Sequence, residues 1–187
     1  MAPFRRAGDP SVHTGGVAIA LETPGVDDAA ALADLKAATF VESFAAQNDP
    51  EQMAAHVARS FTPVVVAAEL ADPCSATVWA LHNSTPVGYL KVNFEGSQSE
   101  PGLGDGLEIE QVYLRASHQG QGLGGRLIGH AEGVAREQVL AFVWLGVWEH
   151  NDRAVAVYRR RGFEVFDEHT FVLGDEVQRD LLMRKPL

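Results

Sequence analysis

The sequence has a single cysteine and no long apolar segment, and each absence excludes a class of protein. Cys74 is the only cysteine among 187 residues, which rules out internal disulfides and a thiolate metal site. No apolar run approaches the ~20 residues needed to span a bilayer, and residues 1–16 lack the apolar segment of a secretory signal. The seven histidines show no metal-ligand spacing. We therefore expect no metal, no membrane association and a cytoplasmic location.

Positive charge is also scarce. Lysine and arginine number 15 against 25 aspartates and glutamates, so the formal net charge is −10, which argues against a nucleic-acid partner. Several acids fall between residues 95 and 110, with no basic residue among them. Two interpretations are open: a solvated loop, or a negative surface that attracts a cationic ligand. These acids are Glu95, Glu100, Asp105, Glu108 and Glu110.

Glycine, by contrast, is concentrated in one segment, residues 119–125. Residues 107–114 precede this segment and predict a strand, and an amphipathic helix pattern follows it. Glycines let the backbone approach a bound group, and the free N–H groups at a helix start attract anions. The arrangement of strand, glycine loop and helix therefore predicts a site for a phosphate-bearing ligand. The buried face of the predicted helix comprises Leu127, Ile128, Ala131, Val134 and Ala135.

The identity of the phosphate ligand depends on what surrounds the loop. A dinucleotide fold needs an acidic residue roughly 20 positions after G-x-G-x-x-G, but residues 140–147 contain none, and residues 126–187 are too few for the rest of such a domain. No nucleotide P-loop is present either. The loop fits [QR]-x-x-G-x-[GA] better, and a second block follows it with a defined spacing. The matching residues are Gln119, Gly122 and Gly124, then Asn151, Ala154, Tyr158, Gly162 and Phe163.

These two blocks, in this order, resemble the GNAT acetyltransferases. Residues 144–151 and 173–183 are similar, more narrowly, to the bacterial and archaeal spermidine/spermine N-acetyltransferase branch. The resemblance implies acetyl-CoA as cosubstrate and one α+β domain over residues 17–187, with residues 1–16 as a flexible lead-in. It also implies a mixed, mostly antiparallel sheet, flanked by helices, whose middle strands splay apart to admit the pantetheine arm.

The resemblance assigns roles to the coenzyme-binding residues. The backbone of Val112, Tyr113 and Leu114 is expected to bond the pantetheine amides and polarise the thioester carbonyl. Tyr158 is expected to be the general acid, although its spacing also suits an apolar anchor. Asn151 is expected to contact the coenzyme, although it equally suits a helix N-cap. The loop amides expected to hold the pyrophosphate are those of Gln119, Gly120, Gln121, Gly122, Leu123 and Gly124.

The sequence constrains the acceptor-binding residues less than it constrains the coenzyme-binding residues. Glu108 and Glu110 lie two apart in one strand and therefore point the same way. Glu110 is a candidate base, acting directly or through water, and both carboxylates are candidate acceptor ligands; the alternative is a pair of exposed strand carboxylates. Trp148 and Glu149 are further candidates for the acceptor site. Phe44 belongs either to the core or to the acceptor cleft.

The predicted reaction is transfer of an acetyl group to a primary amine, with spermidine or spermine as the favoured acceptor. Another small amine, an antibiotic, a peptide N-terminus or a non-catalytic acyl-CoA-binding role are the alternatives. A homodimer is compatible with the sequence, which does not decide the oligomeric state. Helices are predicted over residues 27–46, 50–61, 63–71 and 152–161, and strands over 17–22 (at a sheet edge), 76–82, 87–94 and 142–147, before a final hairpin.

Overall fold

A computed structural model describes residues 12–14, 17–45, 48–173 and 176–187. By its internal contacts the chain forms two compact units, residues 1–91 with 111–127 and residues 92–110 with 128–187. The strands are β1 (Val12–Thr14), β2 (Val17–Glu22), β3 (Ser75–His82), β4 (Thr85–Asn93), β5 (Gly106–Leu114), β6 (Phe142–Trp148), β7 (Glu164–Leu173) and β8 (Glu176–Pro186). The helices are α1 (Ala29–Phe44), α2 (Pro50–Ser60), α3 (Pro63–Ala71), α4 (Leu123–Glu137) and α5 (Asp152–Arg160).

The first unit contains the strand order β1-β2-β3-β4 and helices α1 to α3. Two helix starts follow directly from sequence: the Asp49 carboxylate accepts from the Glu51 N–H, and the Thr62 hydroxyl from the Val65 N–H. A proline follows each cap, where its missing N–H costs nothing. The β3–β4 hairpin turns at Asn83, which has positive φ like its neighbour.

The core of the first unit lies under α1 and α3. Leu32 and Val66 pack with Trp79 and Tyr89 from β3 and β4, and Tyr113 of β5 lies against the same cluster. Because Tyr113 belongs to the strand that enters the glycine loop, this core fixes the position of that strand's end.

The second unit contains the strand order β5-β6-β8-β7. β5 and β6 are parallel, and β6 and β7 each pair antiparallel with β8. The β5–β6 ladder runs from Gly106 opposite Phe142 to Glu108 opposite Trp144, whereas β5 continues to Leu114 and β6 to Trp148. The β5–β6 ladder therefore ends at Glu108.

The predicted α+β class and mixed, mostly antiparallel pairing are confirmed. One detail is wrong: Val12–Thr14 pair with β2, so β2 is not an edge strand. The rest of the predicted lead-in, the end of the first predicted helix at Ala46, and Gly174–Asp175 of the final hairpin lie outside the described residues. Among the helices the structure describes, none is long and apolar enough to cross a membrane.

Candidate active site

The glycine loop has the backbone geometry that its sequence predicts. Gly120 and Gly122 have φ of +77° and +81°, a region that residues with a Cβ rarely adopt. A Cβ at either position would meet no heavy atom within 4 Å, so both face open space. Helix α4 begins at Leu123, and the first N–H groups of a helix have no intrahelical acceptor. The loop therefore offers backbone donors beside an open surface. The expectation for the Gln119 amide is corrected, because its N–H donates to the Ala116 carbonyl over 3.3 Å.

Strand β5 and the loop are held together locally. The Gln119 side-chain amide donates to the Leu114 carbonyl over 3.2 Å. On the neighbouring strand, an added Cβ at Gly88 would lie 2.8 Å from the Tyr113 oxygen and 2.2 Å from the Leu114 side chain. Gly88 thus allows β4 to approach the end of β5 closely. The sequence alone did not single out Gly88, because the need for glycine arises from a neighbour distant in sequence.

Tyr158 and Asn151 lie at the two ends of α5. The Asn151 side-chain oxygen accepts from the Ala154 N–H over 3.1 Å, so the predicted N-cap is confirmed. Its side-chain NH₂ group remains a donor. The Tyr158 ring lies 5.7 Å from the Phe163 ring, which is buried, and burial raises the pKa of Tyr158 to about 12. The phenol is therefore protonated at neutral pH.

The Arg159–Arg161 segment ends α5 as predicted, with Gly162 in the left-handed region at φ +89°. Arg161 donates to the buried Glu132 over 3.2 Å, and Lys185 pairs with the same carboxylate over 2.9 Å. The structure therefore gives Arg161 a role in packing α4 and β8 against the end of α5.

Glu108 and Glu110 share one face of β5, as predicted, but their surroundings differ. Glu108 is only 3% exposed, so the interpretation as an exposed strand carboxylate is wrong for it. Its carboxylate accepts from the N–H and hydroxyl of Ser99 and from the Asn93 amide. Glu110 is half-buried and accepts from the same Asn93 amide over 2.7 Å. One asparagine therefore bridges both carboxylates.

Trp148 and Glu149 follow strand β6. The Trp148 ring packs edge-on against His150 at 5.3 Å. Glu149 pairs with Arg179, whose Nε donates over 3.0 Å, and this hydrogen bond lowers the pKa of the Glu149 carboxyl. Arg179 also pairs with Glu168. The charge of Glu149 is therefore balanced within the chain.

A cavity of about 420 Å³ lies inside the first unit and reaches Tyr113. Phe44 does not line it but packs against Tyr113 at 6.2 Å and against Phe40, which does. Glu69 and Arg59 are charged members of the wall. Sequence reasoning missed this cavity because its wall combines residues of α1, α2 and α3, the loop between α2 and α3, and strands β4 and β5. The aromatic members are Phe40, His56, Phe61, Tyr89 and Tyr113.

The match to a protein-family model identifies the family to which the chain belongs. The model of the acetyltransferase (GNAT) family matches residues 31–163. The chain is a GNAT protein. As a member of this family it is an N-acetyltransferase whose cosubstrate is acetyl-CoA.

Proteins similar to this GNAT protein are also named N-acetyltransferases. An uncharacterized N-acetyltransferase of Lactobacillus delbrueckii subsp. lactis is 41% identical over 149 residues, covering 80% of this chain and 86% of the relative. An uncharacterized N-acetyltransferase of Mycobacterium bovis is 29% identical over 160 residues, covering 86% and 98%. The PaiA N-acetyltransferase of Thermoplasma acidophilum, solved with coenzyme A, superposes with a TM-score of 0.74 at 17% identity, covering 90% and 99%. That likeness shows the fold.

The loop of this GNAT domain fits a coenzyme A pyrophosphate. Two left-handed glycines with open space beside them, followed by a helix start, form the cradle that a phosphate group needs. Within the described residues, no three His, Cys, Asp or Glu side chains come together as metal ligands.

Proposed function

We propose that this GNAT protein acetylates a primary amine of a small molecule by direct transfer from acetyl-CoA, with Tyr158 as general acid and Glu110 as base. The observation that supports it most is the glycine loop, whose open, left-handed backbone precedes the first turn of α4. Bound acetyl-CoA supplies an acetyl group activated as a thioester.

Different residues of the chain carry out different parts of the proposed reaction. Amides of Gly120 to Gly124 bind the pyrophosphate, and the backbone of Val112 to Leu114 orients the pantetheine arm and polarises the acetyl carbonyl. Tyr158 donates its hydroxyl proton to the departing sulfur. Asn151 caps α5 and uses its remaining amide donors on the coenzyme. These roles are carried over from the family positions of these residues.

The reaction balances in protons and bonds. The amine nitrogen forms a bond to the acetyl carbon while the carbon–sulfur bond breaks. The ammonium loses a first proton to Glu110, directly or through water, and Glu110 passes that proton to solvent. After the nitrogen–carbon bond forms, the nitrogen loses a second proton to Glu110, and the sulfur takes the proton of Tyr158. Proton exchange with solvent returns both side chains to their starting states. A carboxylate beside the amine is needed because a primary ammonium, with a pKa of ~10.4, is mostly protonated at neutral pH.

The acids between residues 95 and 110 suggest spermidine or spermine as the acceptor. Residues 144–151 and 173–183, which resemble the spermidine/spermine N-acetyltransferase branch, suggest the same. Several acids are already engaged: Glu100 pairs with His169 over 2.5 Å, and Glu108 is buried. An antibiotic acceptor is the second candidate, because a streptothricin acetyltransferase of Streptomyces lavendulae is 40% identical over 57 residues, 30% of each chain. Glu108, Glu110, Trp148, Glu149 and Phe44 remain the proposed acceptor contacts.

A panel assay tests the proposal. Coenzyme A release and the acetylated product are measured together with acetyl-CoA and spermidine, spermine, putrescine, small monoamines, amino acids, lysine peptides and aminoglycosides. We expect coenzyme A release that depends on one class of amine, with an equal amount of acetylated amine. Tight acetyl-CoA binding with no turnover of any amine would instead favour a non-catalytic acyl-CoA-binding module.

Glu108 and Glu110 form a matched pair for testing the base. Glu110→Gln should lower kcat, and raising the pH should partly restore it because more amine is then already neutral. Glu108→Gln should leave kcat nearer to wild type, since Glu108 is occupied by Ser99 and Asn93. Equal, pH-independent losses in both variants would remove Glu110 from the role of base.

A further inference from the structure

A buried lysine lies behind the wall of the cavity beside Tyr113. Lys36 is fully buried, and its ammonium donates to the Glu69 carboxylate. The same nitrogen lies 5.6 Å from the centre of the Tyr89 ring and 6.0 Å from that of Phe61. These distances lie within the range of cation–π attraction. Two aromatic residues of the cavity wall, Tyr89 and Phe61, and its carboxylate, Glu69, therefore all interact with the Lys36 ammonium.

The charged residues that line the cavity are Glu69 and Arg59, and Glu69 is paired with lysines that do not line it. Lys91 lies 3.8 Å from the second oxygen of Glu69, so that carboxylate faces two lysines. Arg59, in the last turn of α2, is exposed and lines the cavity. In the described part of the chain no carboxylate pairs with Arg59. A ligand in the cavity would therefore meet one carboxylate that is already paired and one guanidinium, which is suited to bidentate binding of a ligand carboxylate.

His56 adds no charge to this wall. It lies one turn before Arg59 on α2, and its ring stacks on Phe40 at 4.6 Å. Burial, and then the charge of Arg59, lower the pKa of the His56 imidazole. At neutral pH the His56 imidazole is uncharged and adds another flat surface to the cavity wall. The cavity thus offers aromatic surfaces for an apolar body and one guanidinium for an anionic group.

We propose that this cavity holds the body of the acceptor, and that the acceptor is a primary amine that carries both an apolar or aromatic side chain and a carboxylate, as hydrophobic amino acids do. The inference rests on the proposed function, since it takes the cavity that reaches Tyr113 as the acceptor side of the same transfer. A polycation such as spermidine does not fit the charge of this wall. The product is the N-acetyl amino acid, formed with release of coenzyme A.

Matched amines test the inference directly. Phenylalanine and 2-phenylethylamine share one aromatic body and differ in the carboxylate, and spermidine represents the polycations. With wild-type protein and saturating acetyl-CoA, we expect kcat/KM for phenylalanine to exceed that for 2-phenylethylamine by about tenfold or more. Arg59→Gln should remove that preference by raising the KM for phenylalanine, with little change in kcat or in the values for 2-phenylethylamine. Spermidine as the best acceptor would overturn the inference.

Arg136→Gln is the matched control. Arg136 also stands in the last turn of its helix, α4, and is largely exposed, with Glu132 at 4.0 Å. Both changes therefore remove a cation from a helix C-terminus. Only Arg59→Gln should alter the preference for a carboxylate. The same loss in both variants would show a general effect of charge and would overturn the assignment of Arg59.

Product binding separates failure of the inference from failure of the proposed function. N-acetylphenylalanine is titrated by calorimetry into the protein bound to coenzyme A, and the measurement needs no turnover. Binding that Arg59→Gln weakens would support the cavity assignment even if no amine were acetylated, in which case only the proposed function fails. Absence of binding, or binding that is equal in wild type and Arg59→Gln, would overturn the inference itself.

Discussion

The Tyr158 hydroxyl is the group that we expect to protonate the leaving sulfur, so removing it alone should slow the chemistry. Tyr158→Phe keeps the ring that packs on Phe163. We expect kcat to fall by ~10²–10⁴-fold, the usual value of a general acid, with a much smaller change in the KM for acetyl-CoA. Steady-state kinetics with the best amine measure both. Wild-type turnover would leave Tyr158 as a packing residue only.

The raised pKa of Tyr158 gives a second expectation for the same residue. Its folded pKa of about 12 lies above the ~10 of a free phenol. The stability contributed by the neutral phenol is therefore complete below pH ~10 and is lost as the pH rises through about 12. Absorbance titration of the phenolate, wild type against Tyr158→Phe, should assign the missing late-titrating group to Tyr158. A group that titrates near pH 10 would contradict it.

Gly88 supplies a structural prediction next to the site. A Cβ there would collide with Leu114 and the Tyr113 carbonyl. Gly88→Ala should cost about 1–3 kcal/mol of unfolding free energy, as overpacking does, and should weaken acetyl-CoA binding because it displaces the end of β5. Chemical denaturation and calorimetry measure the two effects. Gly133→Ala is the control, since a Cβ there meets nothing within 4 Å.

Residue roles were predictable from the sequence where they depend on local spacing. The N-cap of Asn151 and the left-handed Gly162 follow from positions a few residues away. Lys36 was not predictable, because periodicity on α1 identifies its apolar face but not the distant Glu69 that makes a buried lysine tolerable. The burial of Glu108 was missed for the same reason, since its donors lie on a loop and on β4.

At the scale of elements, the glycine loop is the feature on which coenzyme binding depends. Gly122→Val forces a branched side chain into a left-handed conformation, at a cost of roughly 1–2 kcal/mol, and occupies the open surface of the loop. We expect calorimetry to show a large loss of acetyl-CoA affinity while circular dichroism stays native. Gly133→Ala serves again as the control. Unchanged affinity in Gly122→Val would remove the loop from the coenzyme site.

Most elements were predictable because their signals are local. The proline and cap residues that begin α2 and α3, and the apolar face of α4, all lie within single stretches of sequence. Strand β1 was missed, since residues 12–14 carry no signal until β2 is available as a partner. The end of the β5–β6 ladder at Glu108 could not be predicted from the strand sequences themselves.

At the scale of the whole molecule, net charge alone does not identify the acceptor. A value of −10 favours a cationic partner, but the acids that matter are occupied: Glu149 by Arg179, Glu100 by His169 and Glu69 by two lysines. These pairs join residues far apart in sequence. The family and its cosubstrate were therefore predictable from two local motifs, whereas the cavity beside Tyr113 could be found only in the folded chain.

Transfer of a labelled acetyl group tests the central claim most directly. The protein is incubated with acetyl-CoA labelled in the acetyl group, first alone and then with the best amine of the panel, and the label is followed by mass spectrometry. We predict no label on the protein in the absence of amine and, once amine is added, label on the amine in an amount equal to the coenzyme A released. Coenzyme A release without labelled amine, or label accumulating on a protein side chain before it reaches the amine, would contradict direct acetyl transfer.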